Sequence, residues 1–161
     1  MRMRKRAHLN TRLENAASLM ISGGDEALAF AAGRPLHLEI GCGKGKFITE
    51  TAAKAPQIPH VAVELCENVA VLAAERAQAM ALSNVRFFMH DIRLLDEGLP
   101  ARCVQRIYLN FSDPWPKKKQ AKRRLTHPDF LQMYRRWLSD DGAIFFKTDN
   151  APLLPLTNVH P

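Results

Sequence analysis

Leu36 to Gly45 reads LHLEIGCGKG, a strand that stops at Gly41 and opens into a glycine-rich turn. Lys44 to Ala55 follows as a helix, ended by Pro56 and Pro59. The pattern then repeats. His60 to Leu65 (HVAVEL) reads as a second strand, and Glu67 to Leu82 as an alanine-rich helix. Val85 to His90 (VRFFMH) and Arg106 to Phe111 (RIYLNF) are the third and fourth strands. Pro128 to Leu138 reads as a helix whose start is marked by Thr126 or His127 and the proline. The Asp140-Asp141-Gly142 turn announces a fifth strand, Ala143 to Thr148. Strands alternating with helices at this spacing predict an α/β fold, a Rossmann-like doubly wound parallel sheet covered on both faces.

Before the first strand, Arg2 to Phe30 has only scattered apolar residues and is expected to form an arm plus one short helix. Beyond Asn150 the tail APLLPLTNVHP, with three prolines in eleven residues, matches neither strand nor helix. The expected organisation is a basic arm at 1–33, one domain at 34–150 and a proline-rich tail at 151–161.

The chain has 161 residues, 47% hydrophobic and 24% charged, enough for one α/β domain with its own core. No apolar run approaches the roughly 18 to 20 residues of a membrane span. The basic N-terminus lacks a following apolar stretch, which argues against a secretory signal. Cys42, Cys66 and Cys103 form no CxxC pair and no metal spacing, so they read as reduced thiols in a cytoplasmic protein without a metal site.

The formal charge of +7 is concentrated. Arg2, Arg4, Lys5, Arg6 and Arg12 mark the N-terminus, and six lysines and arginines fall within the eight positions from Lys117 to Arg124. Two such clusters can converge to grip a phosphate backbone, or they can serve as solvated loops that keep the protein soluble. The central cluster points to nucleic acid, because it adjoins a candidate active site. There, in NFSDPWPKKKQAKRR (110 to 124), Asp113 sits between a strand and a proline-stiffened loop. An acid held rigidly beside a dense cationic run suits chemistry on a polyanion.

In an open parallel sheet, ligands sit beyond the carboxyl ends of the strands. Gly41, Gly43 and Gly45 fall there, in a GxGxG pattern that matches neither the GxGxxG dinucleotide fingerprint nor a P-loop. Glu64 ends the second strand 19 residues after Gly45, placed to accept hydrogen bonds from ribose hydroxyls. Asp91 ends the third strand, within reach of an adenine amine. Glu39, Glu64, Asp91 and Asp113 therefore put four acids near one sheet edge. Each alone could be a helix cap or a loop residue. Together they suit a cationic cofactor better than the pyrophosphate of NAD, and S-adenosylmethionine carries a sulfonium and no phosphate. The GxGxG turn and the acids disfavour a dehydrogenase.

EIGCGKG at 39 to 45, HDIRLL at 90 to 95, YLNFSDPWPKK at 108 to 118, KRRLT at 122 to 126 and FKTDN at 146 to 150 resemble the bacterial tRNA (guanine-N7-)-methyltransferases. These are class I S-adenosylmethionine-dependent enzymes. The resemblance covers about residues 34 to 150, with the motifs in the family's order. It implies that Glu39, Gly41, Gly43, Glu64, Asp91 and Asp113 bind S-adenosylmethionine, and that Asp113 is also catalytic. It implies substrate contacts from Lys117 and Asp149, and RNA contacts from Lys118, Lys119, Lys122, Arg123 and Arg124. The implied reaction methylates N7 of a guanosine in the tRNA variable loop, at position 46 in tRNA numbering, by a monomer or a homodimer.

Guanine N7 has an unprotonated lone pair, so no strong base is needed. Methyl transfer moves positive charge onto the purine, and a fixed carboxylate favours that charge in the transition state. Pro114 and Pro116 stiffen the loop, and Trp115 is expected in core packing rather than under a base. The family's chains continue past KTDN with two more strands and a T-x-Y-E element that contacts the guanine. No TxYE occurs in this chain. The expectation is thus a sheet lacking those last two strands, with the fifth strand as an exposed apolar edge. A second reading is a non-catalytic tRNA-binding module derived from the same family.

Overall fold

Every residue of strand β1, Leu36–Ile40, is buried, as are all four of β2, His60–Val63. Strands buried on both faces belong inside a parallel sheet, and that is what forms. The computed structural model describes residues 4–149. With β3 at Val85–Phe88, β4 at Val104–Asn110 and β5 at Leu138–Lys147, the sheet has the order β3-β2-β1-β4-β5, with every pair parallel. The order reverses beside β1. That places the switch point at the carboxyl ends of β1 and β4.

Helices cover both faces. Helix α1 is Leu9–Asn15, α2 Gly24–Ala31, α3 Lys46–Lys54, α4 Glu67–Ala79 and α5 Pro128–Trp137. Alternation along the strands sends Leu36, Leu38, Ile40, Val61, Val63, Ile107 and Leu109 to one face, where Ala27 and Ala31 of α2 and Tyr134 and Trp137 of α5 close the core. On the other face Ala62, Val85 and Phe87 meet Ile48 and Ala52 of α3 and three alanines of α4, Ala73, Ala74 and Ala77. Small side chains let α4 approach closely. A Cβ on Gly45 would lie 2.6 Å from the Ala73 Cβ, so the turn after β1 must carry glycine there.

The N-terminal segment holds more structure than the arm and single helix expected from sequence. It contains α1, a 3-10 turn at Ala17–Leu19 and α2, and Met20 bridges to Phe87 along the outer edge of β3. Helix α2 is short, and its apolar residues Ala27 to Ala31 form one unbroken run in which no helical period shows. The fifth strand also begins earlier than expected. Trp137 ends α5 and Leu138 already pairs with Val104, while Arg106 pairs with Ala143. One residue of β4 therefore spans four of β5, and the Asp140-Asp141-Gly142 turn is a bulge inside the strand. Strand β5 is the outer strand of the sheet, with Phe145 41% exposed and stacked on Tyr108. The tail from 150 onward lies outside the described residues.

Candidate active site

A cleft of about 740 Å³ opens at the carboxyl ends of the strands. Gly41, Glu64, Asp91 and Asp113 line it together with Lys122 and Arg123, so acids and cations from four chain segments face one space. Its apolar wall comes from Ile40, Val63, Leu125, Phe130 and Trp115. Apolar walls with a few convergent polar groups are the usual make-up of a small-molecule site.

Glu64 is held by the backbone on both oxygens. It accepts from Gly43 N at 2.9 Å and from Cys66 N at 3.1 Å, so it clamps the glycine turn to the end of β2. Gly41, Gly43 and Gly45 all have positive φ, and the Cys42 thiol beside them is buried and pushed up by that burial. Gly43 does not itself line the cleft. Nor does Glu39, which is 2% exposed. Its Oε1 accepts from Asn110 Nδ2 at 3.1 Å, and its Oε2 has no hydrogen-bond partner among the described residues. Burial drives the Glu39 carboxyl up to about 7, with the Asn110 bond opposing it and the charge of Glu64 adding to it.

Asp91 caps the 3-10 turn Ile92–Leu95 by accepting from Arg93 N, and the Arg93 guanidinium pairs with the same carboxylate. That pairing holds Asp91 below its ordinary range. The residue is thus a cap and a cleft-lining acid at once. Asp113 is exposed, and no hydrogen bond or ion pair among the described residues engages its carboxylate.

Around Asp113 the backbone is strained. Phe111 has φ 52° and Trp115 φ 42°, both in the left-handed region that non-glycine residues avoid. Trp115 is not in the core. It lines the cleft, half-buried, with the Arg123 guanidinium 5.1 Å from its ring centroid. Core packing, the expectation for this side chain, fails because prolines on either side keep the loop out of both helical layers.

The basic run divides by location. Lys118, Lys119 and Lys122 are exposed on a 3-10 turn, Lys118–Arg123, and Lys117 precedes it. Arg124 turns back and donates to the carbonyls of Pro114, Trp115 and Pro116. Asp149 is exposed just past β5, whose Lys147 carbonyl accepts from Phe111 N at 2.8 Å. Of the N-terminal cluster, Arg12 pairs with Glu75 of α4, and Arg6 bonds Asn68 in the first turn of that helix. These arginines fasten the arm near the carboxyl end of β2.

Asn110, Arg93 and Phe130 are site residues that sequence reasoning did not single out. Asn110 carried a usable signal, since it ends a strand expected beside β1. Among the described residues no group of three or more His, Cys, Asp or Glu side chains could hold a metal ion, and no helix is long and apolar enough to cross a membrane. Cys42, Cys66 and Cys103 are free thiols.

Sheet order, helical layers and a cleft at the switch point define a class I methyltransferase fold. The crystal structure of the antibiotic-resistance methyltransferase Kmr superimposes with a TM-score of 0.60 at 20% identity, covering 80% of this chain and 67% of that one. Geranyl diphosphate C-methyltransferase from Streptomyces coelicolor A3(2) gives 0.56 at 17% identity, covering 85% and 42%. Residues 33–158 match the family described as "Putative methyltransferase". The tRNA (guanine-N(7)-)-methyltransferase of Listeria monocytogenes serotype 4b (strain F2365) is 41% identical over 158 residues, 95% of this chain and 74% of that protein. The protein of the same name from Clostridioides difficile (strain 630) is 49% identical over 126 residues, 78% of this chain. That match spans 59% of the Clostridioides protein's length. The chain belongs to the tRNA (guanine-N(7)-)-methyltransferase family.

Proposed function

We propose that this chain transfers a methyl group from S-adenosylmethionine to N7 of a guanosine in tRNA, at position 46 of the variable loop. One observation carries the reading. The acids suited to a cationic cofactor and the cations suited to phosphate, Lys122 and Arg123, line the same cleft as Asp113. The names of the relatives support the substrate.

The residues present fit the cofactor. A buried carboxylate with one oxygen unpartnered, Glu39, calls for a cationic or N–H partner, and an ammonium group meets that need. Gly41 and Gly43 bring backbone close, Glu64 holds the turn in shape, and Asp91 and Asp113 add negative charge along the cleft. When bound, S-adenosylmethionine supplies a methyl group on a sulfonium, already activated for transfer.

The chain's own residues do the rest. Asp113 sets a negative potential where the purine gains positive charge, which lowers the transition state more than the ground state. The proline-stiffened loop holds that carboxylate in place, so less reorganisation is needed when the base arrives. Lys117 and Asp149 contact the target nucleoside from the ends of the loop and of β5. Lys118, Lys119 and Lys122 hold phosphates, which orients the tRNA without reading its bases. Selectivity then comes from RNA shape and a splayed-out base. The protein works in the cytoplasm, as a monomer or a homodimer.

Incubation with unmodified tRNA and methyl-labelled S-adenosylmethionine, followed by nucleoside mapping, tests the reading. Label in 7-methylguanosine at position 46 supports it. Bound tRNA with no label would make the chain a non-catalytic tRNA-binding module instead.

A further inference from the structure

Pro114, Trp115 and Pro116 directly follow Asp113, and two of the three lack a backbone N–H. No backbone N–H among the described residues reaches the carbonyls of Pro114, Trp115 or Pro116, so a side-chain donor meets them. Arg124 is that donor. Its Nε lies 3.0 Å from the carbonyl oxygens of both Pro114 and Trp115, and its Nη2 lies 2.9 Å from that of Trp115 and 3.5 Å from that of Pro116. The middle residue of this trio is the strained one, with Trp115 at φ 42°. Left-handed backbone at an aromatic residue persists only where surrounding contacts over-determine it. The adjacent Arg123 lies over the Trp115 ring, so two consecutive arginines grip the same residue by its backbone and by its face.

We infer that Arg124 is a positioning residue for the Asp113 loop rather than a phosphate ligand. It acts on the reaction proposed above through the three carbonyls it holds, and it touches neither substrate nor cofactor. A guanidinium presents several fixed donors to neighbouring acceptors, whereas a lysine ammonium would meet the same carbonyls as a single point. The charge at this position therefore matters less than the fork. The basic run serves two purposes: Lys118 and Lys119 are exposed on the turn, with Lys122 exposed at the cleft, and Arg124 turns inward to set the loop.

The test compares Arg124→Lys and Arg124→Ala with Lys119→Ala. Three quantities are read: tRNA affinity with its salt slope, the single-turnover transfer rate at saturating tRNA and cofactor, and acrylamide quenching of Trp115 in a Trp137→Phe background. For both Arg124 variants the transfer rate should fall by roughly tenfold to a hundredfold, as for a misplaced catalytic group. Their tRNA affinity should stay within about twofold for Lys, with Trp115 more open to quencher in both. Lys119→Ala should do the opposite, weakening tRNA and leaving Trp115 unchanged. Added guanidinium ion at millimolar level should restore part of the Arg124→Ala rate. The inference is overturned if Arg124→Lys keeps full rate and normal quenching, or if Arg124→Ala changes only tRNA affinity and salt slope. Should the wild-type chain show no transfer at all, the proposed reaction fails, and the quenching comparison still decides whether Arg124 sets the loop.

Discussion

Asn110 Nδ2 donates to Glu39 Oε1 at 3.1 Å, tying the end of β4 to the end of β1 across the switch point. The bond stabilises the Glu39 carboxylate against burial, yet burial wins and the carboxyl sits at about 7. A buried acid so poised carries its charge only when the solution is near neutral or above. A cationic ligand is attracted to the ionised form alone.

Cofactor affinity should therefore rise as pH climbs from about 6 to 8, by up to about tenfold, the rise in the ionised fraction of a group titrating near 7. Titration calorimetry with S-adenosylhomocysteine at several pH values measures this. Glu39→Gln should bind more weakly at pH 8 and lose the pH dependence. A wild-type dependence no steeper than that of the variant would remove Glu39 from the site.

Two buried groups give stability its pH dependence, with opposite signs. Glu39 keeps in the fold a proton that the unfolded chain releases near 4.5, so its contribution falls as pH rises from there through about 7. His60 is fully buried, its Nδ1 donating to Ile58 O at 2.9 Å, and its Nε2 has no partner among the described residues. Burial first, then the neighbouring His37, depresses its pKa to about 4. Its stabilisation is complete above about 6.5 and is lost as pH falls toward 4, by about 3 kcal/mol. The two slopes cancel in part, so the variant is the informative comparison. Urea midpoints of His60→Asn should fall less steeply with acid than those of wild type, whereas parallel curves would contradict the assignment.

Gly45 stands at φ 82° with Ala73 where a side chain would go. Gly45→Ala should destabilise the fold by about 2 to 3 kcal/mol, from overpacking and left-handed strain together. Ala73→Gly removes the 2.6 Å contact with the Ala73 Cβ, and leaves the Cα of residue 73 at 2.9 Å together with the left-handed strain. In a double-mutant cycle by chemical denaturation, the pair should therefore show a favourable coupling. Strict additivity would mean that the turn and α4 do not press on each other.

Neutralising Lys118, Lys119 and Lys122 together should weaken tRNA binding and flatten its salt dependence. Loss of three phosphate contacts lowers the slope of log K against log salt by about 2 to 3. Filter binding over a salt series measures it. An unchanged slope would show that these exposed lysines meet solvent instead of RNA.

The strands β1 to β4 were legible as short, mostly apolar runs, with Gly41 closing the first and Pro59 preceding the second. The acids at their ends were legible for the same reason, since strand ends fix where a following residue points. Other features needed the third dimension. The join of α5 to β5 has no loop, and Asp140-Asp141-Gly142 has turn chemistry whether it turns the chain or bulges it. Helix α2 presents Ala27, Ala31 and the partly buried Phe30 to the core from an unbroken apolar run, which shows no period. A run of like charges reads the same for every member. Only the folding of Arg124 back onto Pro114, Trp115 and Pro116 separates it from its neighbours.

The most direct test of the account is single-turnover methyl transfer to unmodified tRNA by wild type and by Asp113→Ala, with tRNA affinity measured in parallel. The wild type should yield 7-methylguanosine and the variant none, with nearly equal tRNA affinities. Undiminished transfer by Asp113→Ala, or an equal loss of transfer and affinity, would contradict the role given to this carboxylate.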